Sequence, residues 1–349
     1  MTQVVLLSGS DDHVGQDWSK EITLQNTGST DVYRLGGYPN DDTRILQITK
    51  GYFRQPRRHR LDGHDILINL VTDPDINGKV LKTMIRAIAG FRGPVLNPPD
   101  KVLLSTREAV ARRLAGADNV LVPRARTVRS LQASVIASLE RTGAIAFPAI
   151  VRRAGTHGGQ ILGVARTAAD LQKAPQTNQL HTLTEFVDYR SKDGLFRKYR
   201  VFYFGGTPVF RHQLISDRWN VHMSDRARFM MDRPALIAES QGLYQRGMDN
   251  FAPHVRAALD AIYARMELDF CGIDFGVLRD GRVILFEANA TMNFFPVSDD
   301  PRLAAMKLCV ERGEKAFRAM VDQAVANGAG PGAGKPIDDK RASVGSPGY

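Results

Sequence analysis

Asp274, Glu287 and Asn289 are residues whose types and spacing propose a definite chemistry. They stand in two apolar runs joined at Asp280-Gly281, and Asp-Gly between such runs marks a tight hairpin. A two-residue turn pairs Arg279 with Arg282 and, counting back, Asp274 with Glu287. Asn289 follows two residues on, along the same face as Glu287. Both faces of the hairpin are largely apolar: Ile273, Phe275, Val277, Ile284 and Phe286 on one, Leu278, Val283 and Leu285 on the other. That is the pattern of strands covered on both sides. Facing carboxylates there stand about 4.5–5.5 Å apart at Cβ. In a covered sheet they share a proton or hold a cation. Two carboxylates and an amide oxygen make an all-oxygen set, suited to Mg²⁺ or Mn²⁺ and not to zinc. The plain alternative is a pair of solvated acids at strand ends.

Other residues invite an anion. Gly155-Thr156-His157-Gly158-Gly159 lies between two predicted strands, so its glycines bring backbone N–H groups near a bound anion without forming a P-loop. Arg152, just before it, reaches phosphate oxygens with a planar fork. The same glycines also serve as an ordinary hairpin turn. Lys198 and Arg200 share a strand face with Phe202 and Phe204, and cations on an apolar face need an anion nearby, unless they sit at an exposed strand start. Arg211-His212 on the next strand raises the same question.

The elements that must position these groups are legible as strands alternating with helices over residues 1–97, a small parallel α/β unit. Strands are expected near residues 3–8, 65–71 and 93–97, with a helix over 76–89. A helix capped by Ser105 or Thr106 runs to Leu114, and residues 131–141 form another. Thr167 and Asp170 make a capping box. Strands follow at 147–153, 161–165, 182–187, 198–204 and 208–214, then irregular chain over 215–235. Val255, Leu259, Ile262 and Met266 recur at helical spacing, the signature of core packing. Residues 301–325 are helical, and the Gly/Pro-rich stretch beyond is expected to be disordered. Gly334-Lys335 imitates a nucleotide loop, but Ala329 and Pro336 replace residues that motif needs.

Composition is that of an ordinary globular chain, 349 residues with 43% hydrophobic and 24% charged residues. No apolar run approaches a membrane span, and the first residues lack a signal peptide's basic start. Two cysteines without CxxC spacing point to a reducing, cytoplasmic setting. The net charge of +10 comes without a nucleic-acid motif, and anionic small substrates account for it.

Taken together, the run from Phe147 through Gly159, then Glu185-Phe186-Val187, then Lys198-Tyr199-Arg200, then Asp274, Glu287 and Asn289 resembles the ATP-grasp superfamily. It is most similar to the glutathione synthetase and ribosomal-protein glutamate ligase branch, and the thirteen-residue gap between the two acids resembles D-alanine–D-alanine ligases. The resemblance covers about residues 95–297. It implies a mixed α/β and α+β architecture. A pre-ATP-grasp domain would span 1–97, a subdomain with the Gly-rich loop 98–185, a subdomain with the metal site 186–325, and a tail 326–349. It further implies ATP between two antiparallel sheets, Mg²⁺ (or Mn²⁺) on Asp274, Glu287 and Asn289, and phosphates under Gly155, Thr156, His157, Gly158 and Gly159. Arg152 and Lys198 would bind phosphate, Glu185, Phe186 and Val187 the adenine edge, and Asp188 the ribose. Arg200 and Arg211 are the catalytic candidates. The implied activity joins a carboxylate to an amine through an acyl phosphate, with ADP released. Its partners would be small-molecule or peptide substrates and a second copy of the chain, and neither nucleic acid nor membrane. Arg at 152 in place of lysine, Gly272 in place of an arginine, and Thr291-Met292-Asn293 after Asn289 depart from the pattern. They leave open an ATP-binding module without turnover, or a kinase of the same fold.

Overall fold

The computed structural model describes residues 2–12, 24, 27–49, 51–54, 60–154, 161–173 and 180–328. Its first sheet is parallel. Apolar runs form β1 (Val4–Gly9), β2 (Thr43–Ile48), β3 (Ile66–Asn69) and β4 (Val95–Leu96), in the order β2-β1-β3-β4. Every residue of the inner strands β1 and β3 is buried, as covered faces require. The unpredicted strand is β2, an edge strand whose Thr-Arg-Ile-Leu-Gln-Ile carries no continuous apolar run. Helix α1 (Pro74–Ala87) begins with proline at its first position and with Asp73 accepting from the Asp75 and Ile76 N–H groups.

Two short helices, α2 (Pro99–Leu103) and α3 (Arg107–Leu114), lead to β5 (Val120–Leu121). Thr106 caps α3, as expected, by accepting from Ala109 N–H. An antiparallel sheet follows, β6 (Ala125–Val128), β7 (Ala149–Arg153), β8 (Gly163–Ala165) and β9 (His181–Glu185), ordered β6-β9-β7-β8. Helices α4 (Ala133–Arg141) and α5 (Ala168–Gln172) pack Ile136 and Leu171 against Val151 and Leu183, a core separate from the rest. The Thr167–Asp170 capping box opens α5.

The largest sheet holds β10 (Phe196–Phe204), β11 (Thr207–Ser216), β12 (Phe270–Val277) and β13 (Val283–Asn289) in the order β11-β10-β12-β13-β5. It is antiparallel except for β5, which runs parallel to β13. Helices α6 (Pro234–Arg246), α7 (Pro253–Met266) and α8 (Lys307–Gly328) complete the fold. The predicted stripe on α7 is buried. Helix α8 runs to Gly328, three residues past its expected end and into the stretch expected to be a tail; residues 329–349 lie outside the described residues. The first and largest sheets share one apolar core. Asn97 ties them together: its Oδ1 accepts from Asp269 N–H at 2.8 Å, and its backbone oxygen accepts from Asn69 Nδ2 at 2.9 Å. Among the described residues no helix is long and apolar enough to cross a membrane.

The β12–β13 hairpin is present, but its turn is not the expected two-residue one. Leu278 N–H donates to Arg282 O at 2.9 Å, so Arg279, Asp280 and Gly281 form a three-residue loop. Gly281 takes the left-handed position at φ 89°. Phe275 consequently pairs with Leu285, and Phe286 bulges out, which returns Asp274 to a position opposite Glu287. The pairing holds because an extra loop residue and an extra strand residue cancel.

Candidate active site

A polar row crosses four strands of the largest sheet. His212 on β11 faces Arg200 on β10, Arg200 faces Asp274 on β12, and Asp274 faces Glu287 on β13. Asp274 is 2% exposed. Arg200 grips it with two parallel bonds, Nε to Oδ1 at 2.6 Å and Nη2 to Oδ2 at 2.9 Å. Lys198 Nζ stands 3.0 Å from Oδ2. Burial raises the Asp274 pKa, but Arg200 and then Lys198 more than offset it and hold the carboxyl far below the usual range.

Glu287 is met from the opposite direction. Arg107, in the first turn of α3, donates from Nη2 to Glu287 Oε1 at 2.7 Å and from Nη1 to Phe286 O at 2.9 Å. Asn289 Nδ2 donates to the same Oε1 at 2.9 Å. The cations expected beside two facing carboxylates in a covered sheet are present as side chains of the chain itself. Among the described residues, Lys198 and Arg200 stand on Asp274 and Arg107 stands on Glu287.

Between this sheet and the β6–β9 sheet lies a cleft of about 750 Å³, lined by Lys198, Asp274, Glu287 and Arg152 together with Phe186, Val187 and Trp219. A second hollow of about 780 Å³ shares Arg107, Arg152 and Glu287 with it, and there Asn289 and Asp73 join the wall. Arg152 Nε is buried without a hydrogen-bond partner. Burial, with Arg107 beside it, brings the Arg152 pKa down to about 10 against the pull of Glu287.

The cleft thus gathers Arg152, Glu185, Phe186, Val187, Lys198, Asp274 and Glu287 of the predicted residues, with Asn289 in the adjoining hollow. Glu185 is held by Arg124 (Nε to Oε2, 3.0 Å), while its N–H and that of Phe186 bond Arg124 O and Pro148 O. Asp188 is exposed, ion-paired to Arg190, and outside the lining of either hollow. Arg211 also lies outside it. Its Nε donates to Phe294 O at 2.6 Å and its Nη2 to Pro296 O at 2.9 Å, which clasps the segment after β13. Gly155, Thr156, His157, Gly158 and Gly159 fall outside the described residues.

Among the lining residues that were not predicted, Arg107 and Trp219 stand out by their chemistry. Arg107 acts across 180 residues of sequence, and no local signal marks it. Trp219 stands edge-on to Phe186 with ring centroids 5.2 Å apart, and its carbonyl accepts from the Tyr189 hydroxyl. It belongs to the stretch after β11 that was expected only to be irregular chain. Two of the departures from the ATP-grasp pattern are one physical fact: a Cβ added to Gly272 would stand 2.5 Å from Met292 Sδ, so Met292 fills the space above Gly272.

No family model and no curated protein matches the sequence. The structure is similar to D-alanyl-alanine synthetase A of Vibrio cholerae, at 13% identity over 93% of this chain and 98% of that one, with a TM-score of 0.52. It is also similar to the VanG D-Ala:D-Ser ligase of Enterococcus faecalis, at 12% identity over 92% and 99%, with a TM-score of 0.51. The likeness shows the fold, the ATP-grasp architecture that the motifs had implied.

Proposed function

We propose that this chain is an ATP- and Mg²⁺-dependent ligase that joins a carboxylate to an amine through an acyl phosphate and releases ADP. The observation that carries the reading is the row Arg200–Asp274–Glu287, whose two carboxylates line a cleft together with the cations Arg107, Arg152 and Lys198 and the aromatic Phe186 and Trp219. Phe186 and Trp219 suit a purine, and Arg152, Lys198 and Arg107 suit a polyphosphate. The two similar structures, a D-alanyl-alanine synthetase and a D-Ala:D-Ser ligase, favour amide-bond formation over other uses of ATP.

The donor set fits the metal. Asp274, Glu287 and Asn289 offer only oxygens from adjacent strands, as Mg²⁺ prefers. When bound, Mg²⁺ would neutralise charge on the transferred phosphoryl group. The cations now on the two carboxylates are those that a polyphosphate would draw away. Lys198 and Arg107 would turn to its oxygens, while Arg200, bidentate on Asp274, keeps that strand row in register. Positioning and charge neutralisation carry the rate. Exclusion of water by the aromatic wall preserves the acyl phosphate. Domain limits near residues 97, 185 and 325, and amino acid or peptide substrates, belong to this proposal.

The test is ADP release dependent on both a carboxylate and an amine, in parent and Glu287→Gln proteins. Retained coupled release in Glu287→Gln refutes the metal role. A second reading, nucleotide binding without turnover, is favoured by the full engagement of Asp274 with Lys198 and Arg200. Calorimetric binding of ATP and Mg²⁺ with no ADP release over a panel of amino acids and peptides would establish it.

A further inference from the structure

The polar row continues past Arg200. His212, facing it on β11, is 2% exposed, and neither ring nitrogen makes a hydrogen bond. Its neighbour Arg211, spent on two main-chain carbonyls, leaves Nη1 buried without an acceptor. Arg226 adds a second guanidinium whose Nη2 is also buried and without an acceptor. It opens a single π-helical turn, Arg226–Met230, a geometry frequent at functional sites. These side chains share one neighbourhood. Burial first, then the charges of Arg200, Arg211 and Arg226, push the His212 imidazole toward its neutral form against Asp274.

The surrounding carboxylates are engaged elsewhere. Asp274 is held by Arg200 and Lys198, Asp225 by Arg228 and His222 N–H, and Asp31 by the N–H groups of Phe294 and Phe295. Arginine does not shed its proton, and a guanidinium edge withdrawn from water without an acceptor is costly. Two such edges and an imidazole that donates from one nitrogen make a preformed receptor for anionic oxygens. Across the sheet, His212 lies on the side of Asp274 away from Glu287.

We propose that Arg211, His212 and Arg226 bind a non-reacting carboxylate of the substrate, so that the chain selects an anionic acyl donor or acceptor. This rests on the ligase reading of the adjoining cleft. Along the strand row the site adjoins Asp274, which lines that cleft, and among the described residues its buried Arg211 Nη1 and Arg226 Nη2 have no acceptor.

The experiment uses the full chain with ADP and Mg²⁺ present, and formate as the smallest carboxylate probe. Binding is read from the line width of [¹³C]formate at constant ionic strength, with chloride as competitor, in parent, Arg226→Met and Arg226→Lys proteins. The expected result is saturable formate binding, weakened at least tenfold in Arg226→Met and largely retained in Arg226→Lys, with ADP affinity unchanged. In ADP-release assays, the KM of the partner that carries a distal carboxylate rises at least tenfold in Arg226→Met, while the KM for ATP stays fixed. Varying the carboxylate on the acyl donor and on the acceptor in separate arms identifies the source. Formate that binds no better than chloride, or Arg226→Met binding it as the parent does, overturns the proposal. Arg226-dependent formate binding without any ADP binding would keep this site and remove the ligase reading instead.

Discussion

Arg107 Nη2 lies 2.7 Å from Glu287 Oε1, an ion pair between the start of α3 and the last strand of the largest sheet. It makes a half-buried carboxylate tolerable without a metal, since an unpaired charge there would be costly. Arg107→Met removes this counter-ion from Glu287. Without nucleotide, the variant should be less stable by about 1–3 kcal/mol, the cost of a stranded charged partner. Its affinity for Mg²⁺ alone should rise above that of the parent. Urea unfolding and calorimetry with MgCl₂ check both. Equal Mg²⁺ affinity in the two proteins would mean that Arg107 does not occupy the metal's place.

Gly272 and Met292 make a pair whose coupling is measurable. A Cβ at 272 meets Met292 Sδ, Cβ and Cγ at 2.5–3.0 Å, closer than side chains pack. Gly272→Ala should therefore destabilise by about 1–3 kcal/mol, the usual range for overpacking. The double variant Gly272→Ala, Met292→Ala should lose about 1 kcal/mol less than the two single losses combined, a sign of direct contact. Strict additivity would show that the segment after β13 yields freely.

How far the site could be read in advance follows from these contacts. The acids, the amide and their mutual register lie within one hairpin, and local patterning reached them. It reached the Asp274–Glu287 pairing by two errors that cancelled, because Asp-Gly suits both a two-residue turn and a three-residue loop with Gly281 in the left-handed position. Nothing in the period-two pattern marks Phe286 as a bulge. Arg107 was invisible for another reason: it meets Glu287 only once α3 is laid against β13, and long-range ion pairs leave no spacing to read. The fold was more legible than the site, since Val4–Gly9, Ile66–Asn69 and the α7 stripe are defined by apolar periodicity alone. The edge strand β2 and helix α6, with Ser240 and Gly242 in its middle, lack that signal.

Beneath the largest sheet, Glu239 on α6 accepts from Arg197 Nε at 2.8 Å and Nη2 at 2.9 Å, and from Gln213. Burial pushes its pKa up, but the bonds from Arg197 and Gln213 bring it below its ordinary 4.5. A carboxyl whose pKa is depressed on folding stabilises the fold above its unfolded pKa, and that contribution is lost as pH falls through the folded value. The parent should thus lose stability from pH 5 downward more steeply than Glu239→Gln. Urea midpoints at pH 7, 5 and 3.5 test this, and parallel curves would exclude Glu239 from the acid limb.

Trp219 gives the cleft its own reporter. The chain has two tryptophans, Trp18 and Trp219, and Trp219 lines the cleft beside Phe186. A purine entering between those rings would exchange an aromatic edge-to-face contact for stacking and displace water from the indole. Titration with ADP and Mg²⁺ should change the tryptophan fluorescence to saturation, and Trp219→Phe should abolish the change while keeping an aromatic wall. Trp219→Ala should weaken ADP about tenfold, consistent with about 0.5–1.5 kcal/mol for an aromatic pair beyond its buried area. Pyrophosphate, which lacks the base, should bind parent and Trp219→Ala equally, because the proposed phosphate ligands Arg152 and Lys198 are unchanged in the variant. If pyrophosphate alone quenched Trp219 as fully as ADP, the aromatic pair would not be the base site, and the orientation assigned to the nucleotide would reverse.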